Sequence, residues 1–60
     1  MTPKKGVRFF HARIIDEDGS PMLFVVTKIA RGTIYYRPVS GGSPDCCPVE
    51  DFPRWCQRLA

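Results

Sequence analysis

The stretch Met22-Leu23-Phe24-Val25-Val26-Thr27-Lys28-Ile29-Ala30-Arg31, then Gly32, then Thr33-Ile34-Tyr35-Tyr36-Arg37-Pro38, decides the fold. β-Branched and aromatic residues dominate both arms, and such side chains fit a pleated, half-buried surface. Ten residues could also hold a helix, but the Val25-Val26-Thr27 run and the flanking Pro21 and Gly32 favour a strand. Arg31-Gly32-Thr33 is a tight connection, so strands over 22–31 and 33–38 are expected to pair antiparallel. Alternation puts Leu23, Val25 and Ile29 on one face of the first arm and Phe24 and Lys28 on the other. In the second arm Ile34 and Tyr36 lie opposite Tyr35 and Arg37.

Working outward, residues 7–15 form a further β-rich run, in which Phe10, Ala12 and Ile14 would share one face and Phe9, His11 and Arg13 the other. Asp16-Glu17-Asp18-Gly19-Ser20-Pro21 is an acidic turn, because Gly accepts positive φ and Pro cannot extend a central strand. Residues 1–6 read as a polar, frayed arm ending in Gly6, and 7–60 as a single small β domain. Beyond Pro38, Val39-Ser40-Gly41-Gly42-Ser43-Pro44 is a loop by composition. Cys46-Cys47-Pro48-Val49 suits a short fourth strand, which Pro48 confines to an edge or a strand end. Residues 50–59 read as a short helical cap. Pro53 is tolerated in a first turn, Glu50 and Asp51 suit its N-terminal end and Arg58 its C-terminal end. Phe52, Trp55, Cys56 and Leu59 then make one apolar stripe, with Trp55 anchoring the cap on the sheet.

These elements predict a mostly β chain: a small, strongly bent antiparallel sheet or barrel of three to five strands with a short C-terminal helix. The Gly19-Ser20-Pro21 turn, the strands Phe24–Ala30 and Thr33–Pro38 around Gly32, and the Pro48-Val49-Glu50-Asp51-Phe52 exit together resemble the small SH3-like barrels. A meander with a packed helix and no closure fits the same pattern. Very short basic chains of this style are also similar to products of phages and other mobile elements.

Sixty residues make one domain at most, too small for a deep catalytic cleft within one chain. Nine Lys and Arg face six Asp and Glu, a net charge of +3. The excess is local. Residues 1–37 carry seven cations against three carboxylates, whereas 38–60 carry two against three. A basic face favours an anionic partner, nucleic acid or an acidic protein surface. No apolar run approaches membrane-spanning length, so no membrane partner is expected. Three cysteines and no apolar stretch after Lys4-Lys5 suggest reduced thiols in the cytoplasm.

In these registers Phe9, His11 and Arg13 lie beside Phe24 and Lys28, then Tyr35 and Arg37, on one outward face. Rings interleaved with cations suit nucleic acid, since bases stack on rings while Lys and Arg meet phosphates. The expected site is therefore Phe9, His11, Arg13, Lys28, Tyr35 and Arg37. The alternative is a protein–protein module, an inhibitor or adaptor whose partner covers an apolar patch or pairs with a sheet edge. Metal binding is not expected: Cys46 and Cys47, adjacent on a strand, point to opposite faces and cannot grip one ion with Cys56 and His11. Nor is a cofactor. Thr33-Ile34-Tyr35-Tyr36 loosely resembles the pore-lining segment of plasmid-type dihydrofolate reductase, a tetrameric SH3-like barrel. No Gln precedes the Ile34-Tyr35 pair, however, so no catalytic residue is carried over and a non-enzymatic binding module is expected. The carboxylates of the Asp16–Asp18 turn form no acid–base pair.

Overall fold

The computed structural model describes residues 3–60. Its strands are β1 (Arg8–Ile15), β2 (Pro21–Ala30), β3 (Thr33–Pro38), β4 (Asp45–Pro48) and β5 (Cys56–Leu59). A 3-10 turn (Val49–Asp51) and a one-turn helix α1 (Phe52–Trp55) link β4 to β5. All five strands form one antiparallel sheet in the order β4-β3-β2-β1-β5. The sheet is open, with β4 and β5 as its two edges. Of the two forms expected, the open sheet is the one adopted.

Local chemistry explains the turns. The Asp16 carboxylate accepts from the amides of Asp18 (2.9 Å) and Ser20 (3.1 Å), and Gly19 takes φ +82°. Arg31 and Gly32 both have positive φ (51° and 73°), which closes β2 onto β3 with two residues. That conformation matches the right-handed twist of the strands.

The sheet's inner face carries the core. Phe9, Phe24, Val26, Ile34, Tyr36, Cys47 and Phe52 are buried there. Phe9 is its centre, with ring centroids 5.8 Å from Phe24, 5.3 Å from Tyr36 and 5.0 Å from Phe52. The pairings Phe9 with Phe24, Val26 with Tyr36, and Ile34 with Cys47 place these side chains on one face across four strands.

Three expectations are corrected. First, the inner face of β1 and β2 is the opposite of the one alternation favoured. Phe9, His11 and Phe24 point in, while Phe10, Leu23 and Val25 pair on the other side. The physical reason is a pair of irregularities. In β2 the register steps from Val26–Tyr36 to Lys28–Tyr35, so Thr27 is an extra residue, its hydroxyl donating to the Tyr35 carbonyl (3.3 Å). A bulge reverses the alternation, so Val26 and Ile29 can both face inward while Lys28 faces out. In β1 the pairing jumps from Phe10–Leu23 to Ile15–Pro21, which sets His11–Ile14 opposite Met22 alone.

Second, the helical cap ends at Trp55. Cys56–Leu59 is a strand on β1, with Phe9 opposite Leu59 and His11 opposite Cys56. A helix of under about 12 residues is marginal alone, whereas the free edge of β1 offers a ladder of unpaired backbone groups. Third, the arm is tied down where it is described. Pro3 is buried, and the Gly6 amide donates to the Val26 carbonyl (2.8 Å). Residues 1 and 2 of that expected arm lie outside the described residues.

Candidate nucleic-acid interface

Cross-strand partners share a face, so the registers build the outer face directly. One row is Arg8, Val25, Arg37. A second is Leu23, Phe10, Arg58. A third is Lys28, Tyr35, Cys46. The rows run in the order ring, cation, ring along the strands. The Arg58 guanidinium carbon sits 4.1 Å from the Phe10 centroid and the Lys28 ammonium 5.5 Å from that of Tyr35. Tyr35 is exposed and Phe10 half-buried. Arg37 steadies itself by donating to the Pro38 carbonyl (3.3 Å).

Charge is sharply divided. Arg8, Lys28, Arg37 and Arg58 all stand on the outer face. The one carboxylate carried by any strand, Asp45, pairs with Tyr36 and so belongs to the inner side. Asp16, Glu17 and Asp18 are in the β1–β2 turn, and Glu50 and Asp51 in the 3-10 turn. The outer face thus presents four cations and two rings with no carboxylate among its strand residues.

Of the six residues the sequence suggested, Lys28, Tyr35 and Arg37 stand on this face. Phe9 and His11 do not. They are 0% and 4% exposed on the other side, so no base can stack on Phe9. Arg13 is exposed but shares the inner side with Phe9 and His11, its guanidinium carbon 5.2 Å from the Trp55 centroid. The residues missed are Arg8, Phe10 and Arg58. For the first two the sequence held no signal, because the Phe9-Phe10 doublet offers a ring to either face of β1.

His11 has a structural task instead. Its Nδ1 accepts from the amides of Arg13 (3.0 Å) and Ile14 (3.1 Å), which the irregular stretch takes out of step with β2. Nδ1 is therefore unprotonated and the neutral ring carries its proton on Nε2. Burial pushes the imidazole pKa below its ordinary value, against the opposing pull of Asp45.

The cysteines are split by the pleat: Cys46 is exposed and Cys47 buried. Burial raises the Cys47 thiol, aided by Asp51, Cys46 and Asp45, while a hydrogen bond with Tyr36 pulls the other way. Burial also raises Cys56. Both thiols are therefore poor nucleophiles at neutral pH. Among the described residues no three His, Cys, Asp or Glu side chains gather as a metal site. Among them, too, no helix is long and apolar enough to cross a membrane. The chain matches no protein-family model, no curated protein and no solved structure.

Proposed function

We propose that the outer face of the sheet binds single-stranded nucleic acid. The observation that carries this reading is the segregation of charge: four cations and two rings on one face, with no carboxylate among the strand residues of that face. Cations neutralise phosphates and release counterions, and unpaired bases stack on rings whatever their sequence. Phe10 and Tyr35 lie about five residues apart along β2, or about 15 Å, so they would hold two bases that are not neighbours. The guanidinium on Phe10 and the ammonium on Tyr35 would move from ring to phosphate as a base arrives. Arg8 and Arg37, between the rings, would meet the intervening backbone.

The test is an anisotropy titration of a labelled 12-nucleotide single strand across a salt series. Four phosphate contacts predict a slope of log K against log salt of about −3. Arg37→Ala should make that slope shallower by about 0.7. Tyr35→Ala should weaken binding by about 1–3 kcal/mol and leave the slope unchanged. Absence of binding at low salt, or an Arg37→Ala slope equal to that of the parent, overturns the reading.

A second reading has its own observation. Edge strand β5 borders an apolar groove of about 270 Å³ walled by Phe52, Pro53, Cys56 and Leu59. A protein segment adding a strand there would explain the exposed Leu59. It would bind with little salt dependence and survive loss of Arg37.

A further inference from the structure

On the inner side, a cavity of about 360 Å³ opens between the end of β1, β3, β4 and α1. It is at the small end of ligand pockets and far larger than the ~30 Å³ share of one water. Its lining includes three rings: Trp55, half-buried at the mouth, and His11 and Tyr36, 4% and 2% exposed, at the floor. The His11 centroid stands 5.7 Å from Trp55 and 6.1 Å from Tyr36. Two carboxylates, Asp45 and Asp51, also line it, against one cation, Arg13. His11 adds no charge, because its Nδ1 is held as an acceptor by two backbone amides.

The faces of aromatic rings attract cations, most strongly when the site is partly desolvated. Here the rings lie beside an excess of negative charge. The chain already shows the preference, since the Arg13 guanidinium rests on Trp55 at 5.2 Å. The charge of the carboxylates reaches the groups that line the cavity. Asp45 favours the protonated forms of His11, Tyr36 and Cys47 alike, and Asp51 that of Cys47.

We propose that this cavity binds the head group of a small organic cation, an alkylated ammonium, with Trp55 as the ring it rests on, His11 and Tyr36 as the aromatic floor, Asp45 and Asp51 as counter-charges, and Arg13 as the side chain that yields its place. The proposal uses none of the outer-face cations or rings and stands independently of nucleic-acid binding.

Trp55 is the single tryptophan, so its emission reports occupancy directly. The full chain is titrated with tetramethylammonium chloride at fixed ionic strength, against potassium chloride as the control. A saturable change with tetramethylammonium and none with potassium is expected. Asp45→Asn, at an exposed edge position, should weaken binding about three- to tenfold, and Arg13→Ala should tighten it by a similar factor. Tyr35→Ala, on the other side of the sheet, should leave it unchanged, which separates this cavity from the outer face. A response that potassium reproduces overturns the proposal, as does an Asp45→Asn affinity equal to that of the parent or a weaker one in Arg13→Ala.

Discussion

The inner and outer faces of this sheet are made from nearly the same residues and do opposite things. Phe9 and Phe10, Val25 and Val26, Tyr35 and Tyr36, and Cys46 and Cys47 are four neighbouring doublets, and each contributes one member to each face. The inner members, Phe9, Val26, Tyr36 and Cys47, are buried against one another and Phe52. The outer members lie among Arg8, Lys28, Arg37 and Arg58. Side-chain chemistry within a doublet is identical, so position on the pleat alone decides between core and outer surface. Removing a core member leaves a cavity that a close-packed interior cannot fill. Removing an outer member costs partial burial only and, on the proposed reading, falls on nucleic-acid binding.

The first doublet should show the contrast most strongly. Phe9→Ala should cost about 3–5 kcal/mol, comparable with the whole stability of roughly 3–9 kcal/mol expected for a chain of this size. The variant should be largely unfolded by circular dichroism at room temperature. Phe10→Ala should cost only about 1 kcal/mol and melt cooperatively, while losing affinity for single strands. Comparable melting of the two variants would break the division between faces.

His11 separates the faces in another way, by fixing where β1 changes step. His11→Ala leaves the Arg13 and Ile14 amides without their acceptor and should cost about 1–3 kcal/mol. The acid behaviour follows from the same bonds. The folded imidazole resists protonation, its pKa lying below the ordinary 6.5, so on acidification the unfolded chain takes up the proton first. The stabilisation is complete above about pH 6.5 and declines as pH falls toward the folded value. Urea midpoints measured from pH 7.5 to 5.5 should fall for the parent and stay flat for His11→Ala. Equal slopes would remove His11 from this role.

The doublets also explain what could be read in the sequence. Turns were legible because their chemistry is local: Asp16 caps its own turn and Gly32 supplies a positive φ. β3 was legible because Ile34 and Tyr36 alternate without interruption against Tyr35 and Arg37, which placed Tyr35 and Arg37 on the correct face. β1 and β2 were not, because Phe9-Phe10 and Val25-Val26 give no parity signal and each strand contains an irregularity that exchanges its faces. Lys28, beyond the Thr27 bulge, points outward as expected, yet the residues before that bulge are reversed. Arg58 was missed because its segment reads equally as the end of a helical stripe, and only the free edge of β1 makes it a strand.

The outer member of the second doublet should give the smallest effect on stability and the sharpest one on single-strand affinity. Val25 stands between Arg8 and Arg37 across three strands. Val25→Glu would place a carboxylate directly opposite two guanidinium groups. Opposite charges across strands favour each other by about 0.2–1 kcal/mol per pair, which offsets the loss of a β-branched, half-buried side chain. The melting temperature should therefore move by only a few degrees, in keeping with a net change of about 1 kcal/mol or less. Single-strand affinity at low salt should nevertheless fall about tenfold or more, because the new carboxylate occupies both arginines and repels phosphate. Val26→Glu, one residue along, would bury an unpaired charge at a position 1% exposed and should abolish folding. If Val25→Glu bound single strands as tightly as the parent with its fold intact, the outer face would not be the nucleic-acid surface, and the β5 edge would take precedence.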